Sequence, residues 1–244
     1  MADASHQLRT PLTALRLRID SLQDSLASDS VSSTPSPGSA TEPAPIDEDV
    51  AAIGAELDRL MGLVDGLLAM ARSGTDAVIE VVDVSAAAHS AADRWDALAA
   101  EHAVGLRVEA PTGVTARIVR GGVEQVLDNL IDNAIGVAPR GSTIEITVAQ
   151  GPQGDGPERD RDHTTVHLIV RDHGPGLDAA DRERATGRFW RAPGAPSGGT
   201  GLGLAIVAEL ARASGGGVAL GEPAEGPGLS VDVWFPAVAP VDGQ

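Results

Sequence analysis

Apolar side chains recur at Leu8, Leu12, Leu15, Ile19, Leu22 and Leu26, in steps that alternate between four and three. The alternation returns at Val50, Ile53, Leu57, Leu60, Val64, Leu67 and Ala71. Steps of four and three keep a narrow apolar seam on one side of a helix, the pattern of a coiled coil. Two such helices in succession predict an antiparallel hairpin. A single hairpin leaves the flanks of each seam exposed, so two copies are expected to form a four-helix bundle, making the chain a homodimer. Between the helices, residues 28–46 (SDSVSSTPSPGSATEPAPI) have no periodicity and are rich in Pro, Ser and acid. Connections in helical bundles usually run to ~2–8 residues, so this stretch reads as an irregular loop at the bundle tip, where extra length costs little entropy.

From about residue 74 the pattern changes to alternating helix and strand. VIEVVDV (78–84) reads as a strand, and SAAAHSAADRWDALAAEH (85–102) as a helix with Ser85 expected as its N-cap. LRVEA (106–110) and TARIV (115–119) read as short strands. GGVEQVLDNLIDNAIGVA (121–138) puts Val123, Val126, Leu127, Leu130, Ile131 and Ala134 on one helical face. STIEITVA (142–149) and TTVHLIVRD (164–172) alternate like antiparallel neighbours across a polar loop, 150–163. A further helix follows the glycine cluster at 198–203, and LSVDVWF (229–235) is expected to close the sheet. The mixture predicts an α+β protein: a helical hairpin over 1–73, an α/β sandwich with one mixed open sheet over 74–237, and a tail, 238–244.

Composition narrows the chemistry. At 244 residues the chain can bury a sizeable core, but with only 2% aromatics that core must rest on Ala, Val, Leu and Ile. Without cysteine there is no disulfide, thiolate metal site or cysteine nucleophile. A net charge of −17 argues against nucleic acid and anionic lipid as partners. All 18 basic residues are Arg, which excludes a P-loop and its lysine. No run approaches the ~18–20 apolar residues of a membrane span and the N-terminus lacks a signal-peptide pattern, so a cytoplasmic chain without membrane contact is expected.

Four further stretches could carry chemistry. Gln125, Asn129 and Asn133 lie at i, i+4 and i+8, one stripe whose amide oxygens could ligate a hard cation without adding charge. In VRDHGPGL (170–177), a strand ends at Asp172, and Gly174 and Gly176 allow a sharp turn against a ligand whose amino group the carboxylate could accept. SGGTGLGLAIVAEL (197–210) runs a glycine-rich loop into a helix, which aims backbone N–H groups and the positive dipole end at an anion. GRFWRAPGAPSGG (187–199) reads as a mobile lid with Arg188 and Arg191 at its base. Each stretch alone equally fits a solvated helix edge, an ordinary turn or a flexible loop. In SHQLRTPL (5–12), His6 and Thr10 share a face outside the seam, and Pro11 cannot donate to the Gln7 carbonyl, which lets the helix bend one turn beyond the histidine.

In order, SHxLRTPL, NxxxNA, DxGxG, an aromatic segment and GTGLGL resemble the sensor histidine kinases of two-component systems, over roughly residues 3–236. The resemblance implies a dimerising hairpin with a phosphorylatable histidine and an ATP-binding domain of the type shared with Hsp90, MutL and gyrase. It implies His6 as phospho-acceptor and Thr10 as the residue that aids dephosphorylation of a response regulator. It implies Asn133 as the principal Mg²⁺ ligand with Asn129 beside it, and Asp172 as the carboxylate that recognises the adenine amino group in a pocket shaped by Gly174 and Gly176. Gly199, Thr200, Gly201, Leu202, Gly203 and Leu204 would form the glycine-rich end of the ATP lid, Phe189 its anchoring aromatic, and Arg188 and Arg191 the γ-phosphate cations. The implied function is ATP-dependent autophosphorylation of His6, then transfer to an aspartate of a receiver domain.

The chain departs from the family pattern in three places. Gln7 stands where many relatives carry an acid beside the histidine; it can accept a hydrogen bond from the ring but cannot take its proton, which bears on rate. Gly136 and Val137 stand where a basic and an aromatic residue often follow NA. Only five residues precede His6, so a longer form with sensor and membrane elements is expected. Two rivals remain: a dimeric signalling scaffold that binds ATP but transfers little, and an ATPase of the Hsp90/MutL type, which leaves the hairpin unexplained.

Overall fold

The computed structural model of the chain describes residues 78–152, 164–194 and 200–238. The hairpin with its tip loop, His6, Gln7, Thr10, Gly199 and residues 239–244 lie outside the described residues. In chain order the elements are β1 (Ile79–Asp83), α1 (Val84–Glu101), β2 (Gly105–Glu109), β3 (Thr115–Val119), α2 (Gly122–Val137), β4 (Thr143–Pro152), β5 (Thr164–Arg171), α3 (Ala179–Arg184), α4 (Gly203–Ala213), β6 (Gly217–Gly221) and β7 (Ser230–Pro236).

Five strands form one open sheet in the order β2-β4-β5-β7-β6. The β2–β4 pair is parallel and the other three are antiparallel, so the sheet is mixed as expected. Strands β1 and β3 make a separate antiparallel pair, joined to the sheet's end by a bridge between Ala116 and Ala237 and by the Val238 N–H on the Thr115 carbonyl at 3.2 Å.

Register decides which face is the core. Because strand side chains alternate, Ile146, Val170 and Val231 stand level on one face, as do Val148, Leu168 and Val233, and then Val166 and Phe235. All eight are buried, and helices α1, α2 and α4 cover them. The helices meet the sheet through small or branched residues: Ala88 and Ala91 from α1, Val123, Leu127 and Ile131 from α2, Val207 and Ala211 from α4, each fully buried. On the opposite face, β2, β4 and β5 place Arg107, Glu145 and Arg171 level with one another. Further along that face, His167 Nδ1 lies 2.9 Å from an Asp232 oxygen.

Two expectations need correction, and β6 is a strand that the sequence pattern does not predict. Helix α1 is capped by Asp83, whose Oδ1 accepts the Ala86 N–H at 2.9 Å. Ser85 lies one position inside the first turn, buried, and its hydroxyl donates to the Pro111 carbonyl at 2.5 Å. Strand β7 lies inside the sheet, between β5 and β6, and β6 closes that edge. In sequence, GVALG offers only Val218 and Leu220 as bulky apolar residues after Gly215 and Gly216, so it carries little strand signal of its own. Pairing with β7 supplies what local propensity lacks. Replacement Asp83→Ala is expected to lower the unfolding free energy by about 1 kcal/mol, the usual loss for an N-cap; a matched pair of urea titrations measures it.

Candidate functional site

Helix α2 lies along the site, and its orientation is fixed from behind. Asp128 accepts the Trp95 indole N–H at 2.8 Å and pairs with Arg94 at 3.0 Å, both from α1. With that side tied to α1 and its apolar face in the core, the next edge of the helix presents Gln125, Asn129 and Asn133. The Asn129 amide nitrogen donates to the Gln125 carbonyl at 2.7 Å, which turns its Oδ1 away from the helix's own backbone.

Helix α4 meets this edge end-on. A Cβ placed on Gly203 would lie 2.9 Å from Asn133 Nδ2 and 3.1 Å from Asn129 Oδ1, so only glycine lets the first turn of α4 come this close. Among the described residues, no side-chain hydrogen bond caps α4, whose N-cap position is Leu202. The first-turn N–H groups and the positive end of the helix dipole therefore lie beside two neutral amides. Leu202 itself is buried and Leu204 half-buried, so both would reach a ligand through backbone rather than side chain. Thr200 and Gly201 lead into this turn, and Gly201 is left-handed, with φ 68°. A Cβ there would meet the Phe189 carbonyl carbon at 2.7 Å and the Trp190 oxygen at 2.8 Å. The segment that carries Arg188 and Arg191 is thus seated on Gly201, with both arginines exposed. Phe189 is itself left-handed, at φ 62°, an unfavourable conformation for a bulky residue.

The other end of the site is a buried carboxylate. Asp172 follows β5 and is 6% exposed. Its Oδ1 accepts the Gly174 N–H at 2.7 Å and the Leu229 N–H at 3.3 Å, and its own N–H donates to the Leu229 carbonyl at 3.0 Å. Both side-chain bonds land on Oδ1. Among the described residues Oδ2 accepts none, which leaves it for a ligand's donor. Burial pushes the Asp172 carboxyl above the usual carboxylate range; the two backbone N–H bonds, then His173 and Arg171, pull the other way.

Glycine again permits the approaches. A Cβ on Gly174 would lie 2.9 Å from Val137 Cγ2, so the turn after Asp172 touches the last residue of α2. Gly176 packs on the Gly228 carbonyl, and a Cβ on Gly228 (φ 133°) would collide with the Asp172 carbonyl oxygen at 1.9 Å. The sequence reading overlooked Val137, Gly228 and Leu229 as builders of this end. The available signal was the Gly-Pro-Gly of 226–228 just before a strand, but only the pairing of β7 with β5 brings it to Asp172.

The structure thus brings Asn129, Asn133 and Gly203 together at one end, and Asp172, Gly174, Gly176 and Val137 at the other. Between Asn129 and Val137 the helix rises about 12 Å at ~1.5 Å per residue. One end suits an anion, the other a planar group with an amino donor. No group of three or more His, Asp or Glu among the described residues could hold a metal, so a cation here would rely on amide oxygens and on the anion itself.

Residues 119–239 match the family model described as histidine kinase-, DNA gyrase B-, and HSP90-like ATPase, and residues 1–76 match the His Kinase A (phospho-acceptor) domain. The chain is 35% identical over 233 residues to the sensor histidine kinase MtrB of Mycolicibacterium paratuberculosis, covering 92% of this chain but 37% of that protein. It spans well under half the length of this relative. Among solved structures, the Acinetobacter baumannii histidine kinase AdeS superposes with a TM-score of 0.67 at 20% identity, covering 96% of this chain and 98% of that one. Full-length ShkA in complex with AMPPNP superposes at 0.60 with 26% identity, covering 98% of this chain and 46% of that one. The chain belongs to the sensor histidine kinases of bacterial two-component systems.

Proposed function

We propose that the chain is an ATP-dependent protein-histidine kinase that phosphorylates its own His6 and passes the phosphoryl group to an aspartate of a response regulator's receiver domain. The observation that carries this reading is the pair of close approaches along α2: Gly203 on Asn129 and Asn133, and Gly174 on Val137 beside Asp172. Their spacing suits a nucleotide laid along the helix, its base at Asp172 and its triphosphate at the start of α4. AMPPNP in the ShkA complex supports nucleotide use by a relative of this architecture.

Each residue then has a task. Asp172 Oδ2 accepts a hydrogen bond from the adenine amino group. The first-turn N–H groups of α4, with Gly201 and Gly203 clearing the space, receive the phosphates, and Arg188 and Arg191 add charge from the lid base. Asn133 with Asn129 would hold Mg²⁺; their neutral, outward-turned amides fit a hard cation already paired with phosphate. When bound, the ion neutralises charge on the β- and γ-phosphates. A His6 ring nitrogen attacks the γ-phosphorus, the bond to the bridging oxygen breaks, and ADP leaves with that electron pair. The attacking nitrogen must carry a free lone pair, so the imidazole reacts in its neutral form. Gln7 beside it can orient the ring but not take its proton, and Thr10, four residues after His6, is suited to aiding hydrolysis of the regulator's aspartyl phosphate. The working unit is a homodimer built on the 1–73 hairpin, with the 74–237 domain delivering ATP. Among the described residues no helix is long and apolar enough to cross a membrane. That this chain spans 37% of the MtrB relative supports its being the cytoplasmic part of a longer sensor.

Incubation with [γ-³²P]ATP is expected to leave acid-labile, base-stable label on the protein, absent in His6→Ala and faster in Gln7→Glu. Nucleotide binding without label in the parent would instead favour the scaffold reading. Gly203→Ala is expected to weaken ATP at least ~10-fold, about 1.4 kcal/mol, with little change in thermal stability, measured by calorimetric titration and melting.

Acid should act through Asp172. The ionised carboxylate is the acceptor, and its pKa is raised, so ATP affinity should start to fall at a higher pH than an ordinary aspartate (~3.9) would allow. In stability the sign reverses. A raised folded pKa makes the ionised form costly at neutral pH, and that cost disappears as pH falls through it. Asp172→Asn is therefore expected to weaken ATP at neutral pH without loss of folding stability, and the ratio of parent to variant affinity should shrink on acidification.

A further inference from the structure

Arg171 faces away from the nucleotide site, on the open side of the sheet, yet it stands next to Asp172 in the chain. Its guanidinium is half-buried and gripped at both ends: one terminal nitrogen donates to Glu145 Oε2 at 3.1 Å, the other to the backbone carbonyl of Glu225. Glu145 is itself held by Arg107, which takes Oε1 at 2.8 Å. The three residues lie level across β2, β4 and β5, so the head group of Arg171 has a fixed seat. Its Nε–H is buried without a partner among the described residues. An unpaired buried donor is costly, and here it accompanies a head group committed to its two terminal contacts.

The loop that Arg171 holds, 225–229, is the one that sets Asp172. A Cβ on Gly228 would collide with the Asp172 carbonyl, and Leu229 accepts the Asp172 N–H on its carbonyl while donating its own N–H to Oδ1. At 3.3 Å that bond is the longer of the two on Oδ1, hence the more sensitive to a shift of the loop.

We propose that Arg171 is a positioning residue for base recognition: it clamps the 225–229 loop from the far face of the sheet, so that Leu229 holds Asp172 Oδ1 and Oδ2 is left aimed at the adenine amino group. The proposal rests on the reading of Asp172 as the base acceptor. It assigns a specificity role to a residue that touches no ligand, through one backbone carbonyl and one loop.

The test compares two nucleotides that differ only at the group Asp172 reads: ATP, and purine riboside triphosphate, which lacks the 6-amino group. Affinities are measured on the full chain for the parent, Arg171→Met and Arg171→Lys. The parent should prefer ATP. In Arg171→Met, ATP should weaken by about 5–10-fold, the scale of one ordinary hydrogen bond and so a partial loss of the bond to the carboxylate, while purine riboside triphosphate stays within about 2-fold. Arg171→Lys keeps the charge without the fork that spans two acceptors, so it should show most of the same selective loss. Equal losses for both nucleotides, no loss for either, or full recovery in Arg171→Lys would each overturn the clamp. A parent with no preference for ATP would overturn the reading of Asp172, and the clamp with it. Because the readout is a ratio within each variant, partial unfolding cancels. Should Arg171→Met not fold, Glu145→Ala, which frees the same guanidinium from its other side, must show the selective loss in weaker form, and equal affinities for the parent and Glu145→Ala would refute the clamp.

Discussion

A protein with net charge −17 and no lysine has to hold a polyanion, and the site's construction follows from that constraint. Side-chain cations are scarce, so the attraction has to come from backbone. On the proposed reading the start of α4 would provide it, provided the ligand can reach the N–H groups, and Gly203 and Gly201 leave that room by carrying no Cβ. In the role proposed for them, Asn129 and Asn133 would offer oxygen to a cation without deepening the negative field, whereas carboxylates would deepen it. Everything else in the domain keeps these two helices in register. Leu202, Ile206 and Leu210 sink α4 into the core, and the Trp95–Asp128–Arg94 cluster stops α2 from rotating about its axis.

Much of this was readable from residue order. The apolar face of α2 and the alternation in β4 and β5 follow from local periodicity, and each buried position predicted for α2 is buried. The glycine-rich entry to α4 and the Asp172 turn were visible because their chemistry is carried by residues close together in the chain. What escaped depends on pairing between distant segments. Strand β6 exists because β7 lies beside it, and Leu229 matters because β7 pairs with β5. No property of Leu229 taken alone marks it as a hydrogen-bond donor to a carboxylate 57 residues away in the chain. The Asp83 cap was missed for a smaller reason: Asp and Ser two residues apart are both good caps, and the strand pairing of Asp83 with Thr115 settles where the helix can begin.

The two faces of the sheet have different work. One carries the aliphatic core and the helices; the other carries charge aligned across strands. A surface row of ion pairs contributes little to stability in general. In the proposed clamp its value is geometric, since a half-buried guanidinium held by two partners can fix a loop more sharply than a solvated one.

The division of labour between the two oxygens of Asp172 has a consequence for which purine the pocket would favour. Oδ1 is committed to the N–H groups of Gly174 and Leu229, and only an oxygen can serve them. If an amide replaced the carboxylate, its single oxygen would be drawn to that inner position and its NH₂ would point outward. The rim of the pocket would then donate where it had accepted. A purine with an oxo group at carbon 6 would find a partner there, and adenine would meet donor against donor. If Asp172 reads the base as proposed, the polarity of the pocket is set by two backbone N–H groups that the base would never touch.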